Sequence, residues 1–386
     1  MCYTAPVIEA ARALAPRIRA LADETERGRR LPAELVEAFH AAGFFHMCVP
    51  RLLGGGEVAP ATMLGVLEEL GRADGAAGWC AMIAATSGVL AAYLAPETAK
   101  EIYGGARGAS GGAFAPYGKA VAADGGYRVN GRWPFASGCE HCTWLMGGCV
   151  VEEQGKPKLL PNGVPNIRLM LFPAAAARII DTWDVSGLRG TGSHDISVEN
   201  LLVPAAHSAS LITDQPTAAG ALYVFPVFGL LALGIAAVAL GIGRRAIDEL
   251  TALAAKKTPA LTRRRLAERG AIQVEVAAAE ATLAAARAYL FGTVEEMWTA
   301  AQARGEMTLA QRAALRLTAS HAVSASVSAA DRMYTAGGGS AIYSASPLQR
   351  CFRDLHVATQ HTMVNPATFE LVGRVLLGVE ADTAML

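Results

Sequence analysis

The stretch Val224-Phe225-Pro226-Val227-Phe228-Gly229-Leu230-Leu231-Ala232-Leu233-Gly234-Ile235-Ala236-Ala237-Val238-Ala239-Leu240-Gly241-Ile242-Gly243 holds no charged residue, and charge is already absent from Gln215 onward. A run of this length is long enough to cross a bilayer. Its composition points elsewhere. Ala and Gly fill much of it, Pro226 stands near its start, and it passes unbroken into Arg244, Arg245, Asp248 and Glu249 in the same helical phase. It also stands alone in the chain. A helix that is apolar on every side and then ends in charge reads as the central, buried helix of a bundle.

The flanking sequence supports that reading. Downstream, long Ala- and Leu-rich stretches, Ala271 to Leu290 and Leu309 to Met333, carry the pattern of bundle helices. Upstream, between Ala113 and about Ala218, short β-rich runs such as Trp144 to Val151 and Arg168 to Phe172 alternate with Gly, Pro and Asn. Before that, apolar residues recur at helical spacing, as in Leu31 to Phe39 and Met63 to Leu70, with a turn at Gly54-Gly55-Gly56. The order α, β, α predicts a mainly α fold with a central β domain: a helical region over 1–112, a β domain over 113–218 and a helical bundle over 219–386. Gly155 to Asn166 is expected to be an exposed loop.

The chain has 386 residues, 52% of them hydrophobic and 18% charged, enough to bury a large core. Its 34 basic and 34 acidic residues cancel, and no basic patch points to nucleic acid or an anionic membrane, so a small-molecule ligand is expected. Seven cysteines, an odd number without dense spacing, fit a reducing cytoplasm better than a disulfide framework. The early Glu9 and Arg12 interrupt any signal-peptide core, so no export is expected. There is no Walker loop, no GxGxxG in a βαβ setting and no HExxH. Cys139-Glu140-His141-Cys142 has the spacing of a paired metal or redox motif, but a closed zinc site needs four ligands and no second cysteine pair follows. No metal is expected.

Four segments, in order, carry a resemblance. Gly43-Phe44-Phe45 through Val49-Pro50, then Leu67-Glu68-Glu69-Leu70 and Arg72-Ala73-Asp74, form the first. Trp133 to Trp144 is the second. Gly187-Leu188-Arg189-Gly190-Thr191-Gly192-Ser193, with Asp195, Val198 and Val203-Pro204, is the third and most specific; Gly338-Gly339, Pro347 and Arg353-Asp354 are the fourth. Together they resemble the acyl-CoA dehydrogenase superfamily. The resemblance implies an N-terminal helical domain, a β-barrel-like domain and a C-terminal four-helix bundle, with flavin bound between them in a homotetramer. It implies that Trp133 to Trp144 is the strand against the flavin, with Ser137 bonding flavin N5 and Phe135 covering the ring, and that Gly338-Gly339 of a partner subunit helps hold the cofactor. Glycines there let backbone N–H groups approach a phosphate; on the residues alone the pair also reads as a helix-connecting turn. The family's diphosphate-gripping arginine falls near Pro259, so Arg263, in Arg263-Arg264-Arg265, is the candidate to replace it.

The resemblance also selects a branch. The dehydrogenases use a glutamate as base, and its two alternative positions fall on Thr362 and near Leu231. Neither can take an α-proton, because a hydroxyl has far too high a pKa. Arg353-Asp354-Leu355-His356-Val357-Ala358-Thr359-Gln360-His361 instead resembles the flavin-dependent monooxygenases, two-component hydroxylases that accept reduced FMN or FAD from a separate flavin reductase. In that branch a histidine and a hydroxyl stabilise the flavin C4a-hydroperoxide formed with molecular oxygen. His361 is the candidate, since imidazole can donate or accept near neutral pH; by residue type alone, it and His356 also read as structural histidines. Ser87, in the stretch Ala84-Ala85-Thr86-Ser87 after Trp79, and His141 are candidates to face substrate. His194 reads as an active-site or a solvated loop histidine, and Arg29-Arg30 as an exposed helix face.

The function expected is hydroxylation of a small aromatic or heterocyclic molecule. The alternatives are an acyl-CoA dehydrogenase with bound FAD, and a flavin-binding or interaction protein without catalysis.

Overall fold

The computed structural model describes residues 4–303 and 306–386. The N-terminal region is helical: α1 (Thr4–Gly28), α2 (Ala33–Ala41), α3 (Pro60–Ala73), α4 (Gly75–Ser87) and α5 (Pro96–Tyr103). Helices α3 and α5 begin with proline at the first helical position, where its missing N–H costs nothing. Asp74 separates α3 from α4 in extended backbone, and its carboxylate accepts from Ala77 N–H at 3.0 Å. That cap fixes the start of α4 and, with it, the position of Trp79.

Eight strands follow: β1 (Ser110–Ala123), β2 (Gly126–Trp133), β3 (Trp144–Glu153), β4 (Lys156–Pro157), β5 (Ile167–Pro173), β6 (Arg178–Ile180), β7 (Asp195–Pro204) and β8 (Ser208–Ala209). They form one mixed sheet in the order β6-β7-β2-β1-β3-β5-β8, with β4 paired to β3; β1 and β3 are parallel and the other pairs antiparallel. Trp133 closes β2. Its ring lies across Gly118, Gly131 and Gly147, where any Cβ would come within 2.3–2.5 Å of it, and its indole donates to the Gly148 carbonyl at 2.7 Å.

The expected strand over Trp133 to Trp144 is corrected here. Regular pairing stops at Trp133 and resumes at Trp144; between them Pro134 has no N–H to pair, and Phe135 and Gly138 sit at φ of 64° and 73°. The segment is a turn, which suits a site better than a strand would: its backbone bonds to the 191–194 segment rather than to a sheet neighbour.

The C-terminal part comprises α6 (Ala221–Val224), α7 (Val227–Lys256), α8 (Gly270–Gln302), α9 (Leu309–Gly337), α10 (Pro347–Ala358) and α11 (Ala367–Leu376). Helix α7 is the bundle's centre, as its apolar run indicated, packed by α3 on one side and by α9 and α10 on others. A Cβ on Gly241 would lie 2.2 Å from the Glu68 carbonyl, and one on Gly71 would lie 2.6 Å from that of Val238. Gly241 of the run and Gly71 of α3 are therefore where the two helices touch backbone to backbone. Two helical stretches are long and apolar enough to cross a membrane, Gly75–Tyr93 and Val227–Lys256, and both are packed inside the fold.

Arg29 and Arg30 do not form a simple exposed helix face. Arg29 makes a two-pronged pair with Asp181 at 2.6 and 2.7 Å, and Arg30 reaches Glu140 at 3.2 Å, so the end of α1 is tied to the β domain.

Candidate active site

The turn after β2 and the segment Gly187–Ser193 are joined by backbone bonds: Ala136 N–H donates to His194 and Gly138 N–H to Thr191, at 3.0 and 2.8 Å. Leu188 and Gly192 both adopt left-handed backbone, so the segment folds sharply and turns its hydroxyls inward. The result is a buried row of oxygens. Thr191 Oγ1 lies 2.8 Å from the Leu188 carbonyl and 2.7 Å from Ser193 Oγ, which lies 2.6 Å from Ser137 Oγ. Trp79, from α4, donates its indole N–H to Ser137 Oγ at 3.2 Å.

His361 approaches from the bundle. It lies just beyond α10, with its ring edge-on to Trp79 at 5.8 Å between centroids. Met363 N–H donates to His361 Nδ1 at 3.2 Å, which fixes the neutral tautomer with its proton on Nε2. Burial, and then the positive charge of buried Arg316, push its pKa down to about 4. Arg316 holds the same turn, donating to the Met363 carbonyl at 3.2 Å. His361 is therefore a neutral donor at pH 7, standing beside the indole that fixes Ser137. His356 faces away, exposed, paired with Asp331 at 2.9 Å and packed on Phe352.

A third contact locks the arrangement. Asp354, fully enclosed on α10, accepts from Leu188 N–H at 2.6 Å. Burial, and then the neighbouring Asp74, push its pKa up to about 7. One carboxylate thus ties the bundle to the loop that carries Thr191 and Ser193, beside the residue that caps α4.

Two family models match the chain: acyl-CoA dehydrogenase N-terminal domain over residues 7–104 and acyl-CoA dehydrogenase C-terminal domain over 233–366. An indole-3-acetate monooxygenase of Pseudomonas putida is 34% identical over 94% of this chain and 91% of its own. The crystal structure of the HsaA monooxygenase from Mycobacterium tuberculosis superposes with a TM-score of 0.91, at 28% identity over 99% of both chains. XiaF from Streptomyces, in complex with FADH2 and glycerol, superposes at 0.88, with 25% identity over 98% of this chain and 96% of its own. The chain belongs to the acyl-CoA dehydrogenase superfamily, in its flavin-dependent monooxygenase branch.

The two positions of the dehydrogenase base confirm the branch chemically. Thr362 is exposed and Leu231 is buried in the core, and neither bears an acid. For a flavin-dependent monooxygenase, the turn fits a flat cofactor ring: Phe135 is 67% exposed on left-handed backbone, edge-on to Trp183 at 6.2 Å, and stands two residues from the buried Ser137 hydroxyl. An exposed aromatic beside a buried hydroxyl offers a ring face to stack on and a polar atom at its edge, which suits the face and edge of a flavin.

The remaining expected residues are spread out. His141 is stacked on Phe45 with ring centroids 5.4 Å apart, and burial pushes its pKa down to about 4. Among the described residues its buried Nε2 has no partner. Cys139 donates to the Gly192 carbonyl, and burial pushes its thiol up to about 12; Cys142 is also buried, so the CxxC serves as turn packing. Ser87 is buried at the far end of α4, eight residues and so about 12 Å beyond Trp79. Arg263 is exposed on the loop between α7 and α8, and Gly338-Gly339 are exposed at the end of α9. Measured along α9 from Arg316, Gly338 lies about 33 Å away. The loop that carries Arg263 is closed at its base by Leu266 N–H on the Lys257 carbonyl, and Lys257 Nζ donates to the Gly337 carbonyl at 2.9 Å, so one chain brings neither Arg263 nor Gly338-Gly339 to His361.

His194 is not a solvated loop histidine. It is buried, and its Nδ1 accepts from the N–H groups of Thr182 and Trp183, each at 3.2 Å. Trp79, Thr191, Ser193 and Asp354 are the site residues that reading by role did not single out; the signal lay in hydroxyls set inside a glycine-rich turn.

Proposed function

We propose that this chain is the oxygenase component of a two-component system. It takes reduced FMN or FAD from a separate reductase and hydroxylates a small aromatic or heterocyclic molecule. The observation that supports this best is the meeting of His361, Trp79 and Ser137, one residue from each of the three parts of the fold, at positions where the dehydrogenase acid is missing. Bound reduced flavin supplies the electrons that activate O2; one oxygen atom enters the substrate, the other leaves as water, and the flavin is reoxidised.

The chain's own groups do the rest. Ser137 and Phe135 would hold the flavin, the hydroxyl at its N5 edge and the aromatic ring over its face. His361, neutral with its proton on Nε2, would hold a donor beside Trp79 and Ser137, from which a proton could be supplied to the chemistry that bound flavin brings. Buried walls around Trp79 and Ser193 exclude water, which would otherwise divert reduced oxygen to hydrogen peroxide. His141 and Ser87 are the candidates to face substrate. Arg263 and Gly338-Gly339 hold the flavin of a neighbouring subunit, in a homotetramer. The buried thiols of Cys48, Cys80, Cys139, Cys142, Cys149 and Cys351 suit a reducing cytoplasm.

The test is a single-turnover reaction with reduced FMN or FAD, 18O2 and a set of phenols and indoles, read by mass spectrometry. One labelled oxygen per product molecule is expected. Tightly bound FAD bleached by an acyl-CoA, with no labelled product, overturns the reading in favour of dehydrogenation.

A further inference from the structure

We propose that Thr191 and Ser193 fix the direction of the Ser137 hydroxyl proton, and that this direction makes the site select reduced over oxidised flavin. The proposal rests on the reading that Ser137 meets flavin N5.

Proton counting carries it. Three oxygen pairs lie in a row at hydrogen-bond distance: Leu188 O with Thr191 Oγ1 at 2.8 Å, Thr191 Oγ1 with Ser193 Oγ at 2.7 Å, and Ser193 Oγ with Ser137 Oγ at 2.6 Å. Three hydroxyl protons are available to fill them. The Leu188 carbonyl has none to give, so one arrangement alone puts a proton into every pair. Thr191 donates to Leu188, Ser193 donates to Thr191, and Ser137 donates to Ser193. Any other arrangement leaves two oxygens within 2.8 Å with nothing between them in a buried site, where an unmade bond is expensive. The far end of the row is held as well, since Leu188 N–H is fixed by Asp354 at 2.6 Å.

Ser137 is thereby left without a free proton. Its oxygen takes the Trp79 N–H on one lone pair and keeps the other, so toward the cofactor it can only accept. Reduced flavin carries a proton on N5 and can donate to that lone pair. Oxidised flavin carries a lone pair on N5, which faces the serine oxygen with no proton between them. One hydrogen bond is gained in the first case and a repulsive contact made in the second. The product of the reaction, oxidised flavin, is thus loosened by the same row that grips the incoming reduced form.

The measurement is the dissociation constant of the full chain for oxidised flavin and, under anaerobic conditions, for reduced flavin, by fluorescence titration. The ratio of the two is read for the wild type, Ser193→Ala, Thr191→Val, Thr191→Ser and Ser137→Ala. Removing the Ser193 acceptor frees the Ser137 proton to reach N5, so Ser193→Ala and Thr191→Val should tighten oxidised flavin and lower the ratio by roughly fivefold to tenfold, about one hydrogen bond. Thr191→Ser keeps the row and should keep the ratio, which separates proton direction from packing. If Ser137→Ala weakens reduced flavin while Ser193→Ala and Thr191→Val leave the ratio at its wild-type value, the proton-direction proposal falls and the Ser137 reading stands. If Ser137→Ala alters neither constant, Ser137 does not meet N5 and both fall.

Discussion

The two ends of the helical bundle are built differently. At the His361 end, residues from α4, the β domain and the segment after α10 converge, nearly all buried, and every hydroxyl in the row has its partners. At the Gly338 end, Arg263 and the glycine pair lie exposed, and among the described residues nothing stands within 4 Å of where a Cβ on either glycine would sit. The first end is assembled by one chain before any ligand arrives. The second is bare backbone and a group of cations, Lys257 on the Gly337 carbonyl and Arg263 to Arg265 on the loop beyond it, open to something that comes from outside. Chemistry that depends on proton position is placed where the fold can hold protons still; binding that needs only close approach and charge is left to the surface.

The largest effect should come from the assembled end. His361→Ala removes the Nε2–H donor and leaves α10 intact, so labelled product per flavin oxidised should fall about 100-fold, with hydrogen peroxide taking its place. Because burial holds the His361 pKa near 4, the wild-type profile should show no loss of coupling between pH 8 and 5.5 from this group. A limb near pH 6.5 that disappears in His361→Ala would show that the imidazole titrates in solvent instead.

The next effect tests how the assembled end is anchored. Asp354 has a pKa of about 7 in the folded chain against 3.8 unfolded, so between those values the folded state holds a proton that the unfolded state has lost. Stability from this group is therefore full below about pH 4 and is lost as pH rises through 7. Asp354→Asn keeps an oxygen for Leu188 N–H and has nothing to ionise. The stability of the wild type relative to this variant, from urea unfolding, should fall by about 1 kcal/mol per pH unit over pH 5 to 7. Parallel curves would mean that Asp354 stays ionised in its enclosure.

What could be read from the sequence follows the same division. The bundle was legible because α7 is apolar on all faces and its charges begin at Arg244, a pattern with few physical solutions. The Ser137 and His361 candidates came from register with the family, and the fold sets both beside Trp79. Their relation to Trp79 was not legible, since 58 residues separate the indole from Ser137 and only the fold closes that distance. The turn at Pro134–Thr143 reads as a strand only through the family resemblance, although Pro134 and Gly138 mark a break in it. His194 was misjudged because its two donors, Thr182 and Trp183, are backbone groups that residue identity does not reveal. The proton direction in the hydroxyl row depends on a carbonyl at Leu188, which every residue has; only three-dimensional placement makes it decisive.

The smallest effect belongs to the bare end, and it bears on whether that surface is used at all. Gly338 has φ of 54° and ψ of −146°, a conformation that strains any other residue, so changing it would confuse stability with binding. Gly339 has ordinary backbone and open space around it. In an isolated chain Gly339→Val should leave the melting temperature unchanged within a degree or so, since the new side chain meets nothing. If the glycine backbone approaches the flavin of a neighbouring subunit, the same substitution pushes that flavin away, and affinity for both redox forms should fall by roughly fivefold, leaving their ratio intact. Equal loss for both forms is what separates this end from the Ser193 end, where the ratio itself should move. Unchanged affinity in Gly339→Val would mean that the flavin is held within one chain, and the contrast between the two ends would then reduce to burial alone.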